Sequence, residues 1–357
     1  MRNTRKVTLA DVAAAAGVSL MTASRVMRRT GHVSARTRAR VEAAAAELGY
    51  VANRIASTLA GGPTSLVGVV FPSLSNHVYS EVFAGISAVF DPTPLSAFVA
   101  LGNYHAAHEE KVVRDILSWQ PAGVILTGLD HTEGTREMLV TSGVPVVEIM
   151  DVDGVPIGGN VGISFIEAGA LVAREVLASG YRRIALVGSR MPDDLLATRR
   201  MEGARRVLQR AGVPPVAELH DEGRSSIALG RRMTAMLLDA HPAIDCIIYS
   251  NDLIAAGGLL HCLAEGWDIP GRLGLVGFNA VDTLEILPLR LATVDPRRRE
   301  IGETAARMIV GAALAPSGPP PAGKEGGEAA RNPGIRKLAP RFSRGETLRP
   351  VVAGAGG

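Results

Sequence analysis

Residues 8–28 read Thr-Leu-Ala-Asp-Val-Ala-Ala-Ala-Ala-Gly-Val-Ser-Leu-Met-Thr-Ala-Ser-Arg-Val-Met-Arg. Two short helical patterns meet at one glycine. Thr8 is placed to cap the first helix, and Asp11 falls in its first turn, where the helix dipole favours a carboxylate. Gly17 supplies a residue that accepts positive φ in the turn. Ser19 then caps a second helix. Ala13, Val18, Ala23 and Val26 are predicted to face the first helix. Leu20, Met21, Ser24, Arg25 and Arg28 share the opposite face, a face suited to the major groove of DNA.

The charge distribution agrees with that reading. Residues 1–60 carry ten Lys/Arg and three acids, a balance of +7, whereas the whole chain is +3 and the remainder therefore −4. A basic head on a mildly acidic body is the footprint expected for phosphate contacts concentrated on one small domain. A third helix is predicted from the Ser34 cap to Gly49, with Val41, Ala45 and Leu48 inward. The run 53–60, closed by Gly61-Gly62-Pro63, has the length of a hinge helix too short to be stable alone.

From Leu66 onward short apolar strands alternate with helical patterns. The strands are expected at 66–71, 97–101, 123–126, 144–149, 183–187, 246–250, 273–277 and 291–294. Helices are expected near 79–90, 106–118, 132–142, 164–179, 198–211, 225–240, 252–264 and 297–314. Such βαβ repetition predicts parallel sheets covered by helices. The fold class is therefore a small all-α helix-turn-helix head plus an α/β body of two doubly wound parallel-sheet lobes. The head spans 1–52 and the hinge and linker 53–64. The body spans 65–349, with lobe one at about 65–160 and 293–314 and lobe two at about 161–291 and 335–349. Residues 315–334, rich in Pro and Gly, read as a flexible insert, and 350–357 as a disordered tail.

Composition excludes several classes. Only 14 of 357 residues are aromatic, so stacking platforms are few. Cys246 and Cys262 have no metal or disulfide spacing and read as reduced core residues. No apolar run follows the basic N-terminus and none approaches a membrane span, so a cytoplasmic, nucleoid-associated protein without a membrane partner is expected. His105 and His108, followed by Glu109-Glu110, read as a solvated helix start rather than a metal site, and Arg297-Arg298-Arg299-Glu300 as a solvated helix start. No metal, cofactor or catalytic residue is assigned, and an enzyme is not expected.

The head, hinge and two-lobed body together resemble the lactose/galactose-repressor family of bacterial transcription regulators. The phrases that carry the resemblance are Thr8–Ala13, Ala16–Ser19, Thr22–Val26, Leu48–Arg54, Gly180–Ala185, Ser250–Asp252 and Val276–Asn279. The phrases Ile55–Ala60, Phe71–Asn76, Pro121–Leu129 and Pro145–Asp151 look like the gluconate-repressor branch in particular. The resemblance implies a homodimer on double-stranded, near-palindromic operator DNA and a body like the periplasmic binding proteins. Leu20, Met21 and Arg25 match base-reading positions. Thr8, Ser19, Thr22, Ser24 and Asn53 match backbone-contacting ones. Leu59 matches a leucine that wedges between base pairs. Ala23 stands where the family more often has a larger β-branched residue.

In open parallel sheets ligands sit beyond the carboxyl ends of the strands. Those ends supply Ser73-Leu74-Ser75-Asn76, Thr127-Gly128, Asp151, Ser189-Arg190, Asn251-Asp252 and Asn279. Arg200 matches the family's effector-contacting arginine. The effector set is therefore Ser73, Leu74, Asp151, Arg200, Asn251, Asp252 and Asn279. For any of them the plain alternative is a polar loop residue that caps a helix. Many sugar-binding members carry Asp at the position of Asn279, and an aromatic near Ser225. A neutral amide, a nearby arginine and no stacking platform suit an open-chain sugar acid such as gluconate. The reading is a ligand-controlled repressor of sugar-acid catabolic genes. The alternatives are a transporter's solute-binding protein, which has no use for a basic head, and a repressor responding to a neutral sugar or sugar phosphate. Helical faces carrying Val82, Ile86 and Val89 are expected to contribute the dimer contact.

Overall fold

The computed structural model describes residues 7–27, 31–51, 64–74, 77–282, 285–315 and 334–351. The hinge segment with Asn53 and Leu59, most of the 315–334 insert, most of the tail and Arg28 lie outside the described residues. The chain forms two compact units, Met1–Thr64 and Ser65–Gly357.

The head contains α1 (Leu9–Ala15), α2 (Leu20–Met27) and α3 (Ala35–Glu47). Thr8 and Asp11 make a reciprocal capping box, in which Thr8 Oγ1 accepts from the Asp11 amide and the Asp11 carboxylate accepts from the Thr8 amide. Gly17 has φ +61°, and the axis turns by 107° between α1 and α2, within the range of helix-turn-helix units. Arg40 from α3 donates to the carbonyl of Ala16, which ties the turn to the third helix. Val12, Ala13, Ala16, Ala23, Val26, Val41, Ala44 and Ala45 form a common buried core. Ala23 is fully buried there, so its small side chain is matched by close packing.

The body holds two parallel sheets. The strands of the first lobe are β1 (Leu66–Phe71), β2 (Ser96–Leu101), β3 (Gly123–Thr127), β4 (Val146–Asp151) and β5 (Gly159–Ile163). Its helices are α4 (His77–Phe90), α5 (Ala106–Ser118) and α6 (Glu133–Ser142). The second lobe has β6 (Ile184–Ser189), β7 (Ala217–Asp221), β8 (Cys246–Tyr249) and β9 (Gly274–Val276). Its helices are α7 (Phe165–Ala178), α8 (Leu195–Arg210), α9 (Ile227–Ala240) and α10 (Asp252–Ala264). The chain then runs through β10 (Thr293–Asp295), α11 (Arg298–Ala313), β11 (Ile335–Lys337) and β12 (Arg341–Ser343). Strand order is β11-β5-β4-β3-β1-β2 in the first sheet and β7-β6-β8-β9 in the second, all pairs parallel. β10 and β12 pair antiparallel as a short strap.

The chain crosses between lobes after β5, between β9 and α11, and after β11. Helix α11 packs on α4 in the first lobe. Residues 335–337 depart from the expected lobe two, because β11 extends the first sheet beside β5. Only the following segment joins lobe two, where Thr347 Oγ1 donates to the Leu275 carbonyl at 2.6 Å and accepts from the Ala292 amide at 2.8 Å.

Two further expectations need correction. Val82 and Ile86 are fully buried and therefore contribute no dimer contact. Their helix approaches α11 backbone to backbone, with Gly302 under the Val82 carbonyl and Gly85 under the Arg299 carbonyl. Arg298, read as part of a solvated helix start, has a side chain only 2% exposed and donates to Glu81 at 2.7 Å. Cys246 and Cys262 are buried free thiols. Among the described residues no helix is long and apolar enough to cross a membrane, and no His/Cys/Asp/Glu group has metal-binding geometry.

Candidate nucleic-acid interface and effector cleft

In the head, α2 turns its apolar side inward and leaves Leu20 and Met21 54% and 65% exposed. Arg25 shares that exposed side, with Thr22 and Ser24 half-buried at its margins. Ser19 Oγ accepts from the Thr22 amide at 3.2 Å and caps the helix. Leu20 and Met21, beside Arg25, stand outside the buried core of the head. They leave this face of α2 open to a partner.

In the body, a cavity of about 500 Å³ opens between the carboxyl ends of the two sheets. Ser73 and Tyr104 contribute from lobe one, and Arg190, Asp194, Arg224, Ser225, Asn251, Asp252 and Asn279 from lobe two and the crossover. Ile227, Leu253, Leu260 and Leu287 add an apolar wall. The expected residues Ser73, Asn251, Asp252 and Asn279 are thus brought together.

Their chemistry differs. Asn251 caps α10: its Oδ1 accepts from the amides of Leu253 and Ile254, and its Nδ2 donates to Ser225 Oγ at 3.0 Å. Asp252 is buried and accepts from Thr293 Oγ1 at 2.7 Å and from the Val281 amide at 3.0 Å. Burial raises its pKa, and these hydrogen bonds counter the shift. Both side chains are largely committed to bracing the cleft wall. Asn279 is buried, with φ 114°, and its amide side chain makes no hydrogen bond within the described residues, so it faces the cavity with its polar groups available.

Arg200 lies behind the cavity wall on α8, 6% exposed. Its Nε donates to the Ser250 carbonyl at 2.6 Å, and its guanidinium stacks 4.6 Å from the Phe278 ring and 5.6 Å from Phe165. Burial lowers its pKa, while Asp194, Tyr79, Tyr104 and Asp252 favour the charge. The terminal nitrogens keep their donor capacity.

Two expected residues stand apart. Leu74 is 49% exposed and does not line the cavity. Asp151 is fully buried and taken by Arg199, which also binds Asp130 at 2.8 Å. A carboxylate already paired with a guanidinium has no reason to face a ligand.

Among the polar lining residues, Tyr104, Arg190, Asp194, Arg224 and Ser225 are absent from the set expected on sequence. Tyr104 lies just past β2, at a strand end of the kind that supplies ligand contacts. Its pKa is pushed up to about 12, chiefly by burial. Its presence overturns the expectation of a cleft without an aromatic ring, although Arg190 covers the ring at 4.8 Å. Arg224 follows β7, whose half-exposed sequence carries no clear strand signal, so nothing local marks its carboxyl end.

Residues 8–53 match the family model of bacterial regulatory proteins of the lacI family, and residues 173–330 that of the periplasmic binding protein-like domain. The chain is 38% identical over 312 residues to the HTH-type transcriptional regulator GntR of Pseudomonas aeruginosa, covering 87% of this chain and 90% of that protein. It is similar to a crystal structure of a lacI-family transcriptional regulator from Silicibacter pomeroyi (TM-score 0.89, 47% identity, 96% and 100% coverage). It is also similar to the lac repressor dimer bound to operator and the anti-inducer ONPF (TM-score 0.80, 25% identity, 97% and 100% coverage).

Proposed function

The chain belongs to the lacI family of bacterial regulatory proteins, and from that premise we propose that it represses sugar-acid catabolic genes and is released from its operator by gluconate or a related aldonate. It is a DNA-binding transcription regulator with an effector-binding body, not an enzyme. Each head of a homodimer places Leu20, Met21 and Arg25 toward base edges, and Thr8, Ser19, Thr22, Ser24 and Asn53 toward the phosphate backbone. Leu59 wedges into the minor groove at the operator centre. Effector draws the lobes together and separates the paired hinges, so the heads lose register.

The observation that carries the aldonate reading is the pairing of an Asn279 amide in the cavity, whose side chain makes no hydrogen bond among the described residues, with the buried Arg200 guanidinium behind it. A carboxylate there meets an amide NH₂ that an aspartate does not offer, with the positive charge of Arg200 just behind the wall.

Calorimetry on the full chain tests this. Gluconate is expected to bind at least about tenfold more tightly than glucose, roughly 1.4 kcal/mol. Asn279→Asp, nearly equal in shape, is expected to weaken gluconate while sparing glucose. Arg200→Lys is expected to weaken the acid more than the neutral sugar, because lysine lacks the planar fork. Parent-like gluconate affinity in Asn279→Asp would sink the carboxylate argument. For release, operator-bound protein must show lower gluconate affinity than free protein; equal affinities exclude induction by this ligand.

A further inference from the structure

Arg190 and Arg224 both line the cleft, yet neither makes a salt bridge or a side-chain hydrogen bond among the described residues. Most other arginines near the cleft are engaged. Arg199 is held by Asp151 and Asp130, Arg298 by Glu81, and Arg200 by the Ser250 carbonyl. The two acids that line the cavity are themselves occupied. Asp252 accepts from Thr293 and Val281, and Asp194 caps α8 by accepting from the Ala197 amide at 2.9 Å. The cavity therefore presents two unpaired guanidinium groups beside carboxylates that already have partners.

Their placement differs from that of Arg200. The Arg190 guanidinium stands over the face of the Tyr104 ring, 4.8 Å from its centre. Arg200 is packed on Phe278 and Phe165 behind the wall, and its charge acts on the hydroxyls of Tyr104 and Tyr79. Two positive charges thus act on Tyr104, Arg190 over its ring and Arg200 on its hydroxyl. The cavity has about 500 Å³ of space, enough for a polyhydroxylated chain.

We infer that Arg190 and Arg224 form a second anion-recognition position, so that the cleft selects an open-chain sugar acid that carries a second anionic group. The inference rests on the aldonate reading and extends it to a second anionic group of the ligand. One anionic group meets the Asn279 amide in front of the buried Arg200, and the other meets the two free guanidinium groups. The second group is a carboxylate, as in an aldarate, or a phosphate, as in a phosphorylated aldonate. Both offer the oxygen pair that an arginine fork binds.

Titration calorimetry of the full chain with D-gluconate, D-glucarate, 6-phosphogluconate and D-glucose tests it. At least one dianion is expected to bind about tenfold or more tightly than gluconate, and which one does so distinguishes carboxylate from phosphate. Arg224→Met and Arg190→Met are expected to reduce the dianion-to-gluconate affinity ratio by about fivefold or more. Arg224 is exposed, so its replacement does not disturb the core. Gluconate binding with no dianion advantage overturns the second position alone. Variants that weaken gluconate and dianion by equal factors overturn it as well. No binding of any sugar acid overturns the aldonate reading beneath it.

Discussion

His131 has a side chain only 1% exposed, held between two carboxylates. Its Nδ1 lies 2.6 Å from Glu109 Oε1, and its Nε2 lies 3.2 Å from the Gly128 carbonyl and 3.6 Å from Glu148 Oε1. Burial pulls its pKa down, but the Glu109 hydrogen bond and the charges of Glu109 and Glu148 outweigh it, leaving the value raised above 6.5. Glu148 is itself pushed up by burial, so Glu109 is the dependable counter-charge. A raised folded-state value means that the native protein holds the proton more tightly than the unfolded chain does. The stabilisation is complete below the unfolded pKa, near 6.5, and is lost as pH rises through the folded value. The melting-temperature gap between parent and His131→Gln is therefore expected to be widest below about pH 6.5 and to narrow in alkaline buffer. A gap that widens with pH would contradict the assignment. At this scale the sequence was only partly legible. Residue types at strand ends located Ser73, Asn251 and Asn279, but nothing local showed that Asn251 is absorbed by its own helix cap. Nor did it show that Asp151 is claimed by an arginine 48 positions away.

Helices α7 and α8 approach so closely that a Cβ on Gly169 would lie 1.8 Å from the Arg200 carbonyl oxygen, and one on Gly203 would lie 2.0 Å from that of Ile166. The contact is backbone on backbone, so no side-chain rotation relieves it. Gly169→Ala is expected to push the helices apart, destabilise the body by about 1–3 kcal/mol and displace Arg200 from the Ser250 carbonyl. Urea melts combined with gluconate titration check both effects. Parent-like stability and affinity would mean that the helix pair yields freely. Most elements were readable because each carries its own period: α5 and α10 begin and end where the apolar spacing placed them. Among the strands that escaped were β5, Gly-Asn-Val-Gly-Ile, and β7, Ala-Glu-Leu-His-Asp. The first is weak in β-formers and gains its register from β4, and the second is a half-exposed edge with charges on its open face.

Across the whole body, Arg199 of lobe two bridges Asp151 and Asp130 of lobe one. This contact joins the lobes beside the cleft, and Asp151 contributes from full burial. A double-mutant cycle with Arg199→Met and Asp151→Asn is expected to give a coupling energy of roughly 1–3 kcal/mol. Coupling near zero would show that packing alone sets the lobe arrangement. The order of elements, the helix-turn-helix face and the division into head and body were determined by the sequence itself. They follow from local periodicity, caps and turn residues, which act over a few neighbours. Tertiary structure alone decided that β11 returns to the first sheet, that Val82 and Ile86 face α11 rather than a second subunit, and which charges are spent and which stay free in the cleft. Those outcomes depend on pairings between residues tens to hundreds of positions apart, such as Arg298 with Glu81. A charge's availability is set by the partner that folding brings to it, and the residue type alone does not reveal that partner.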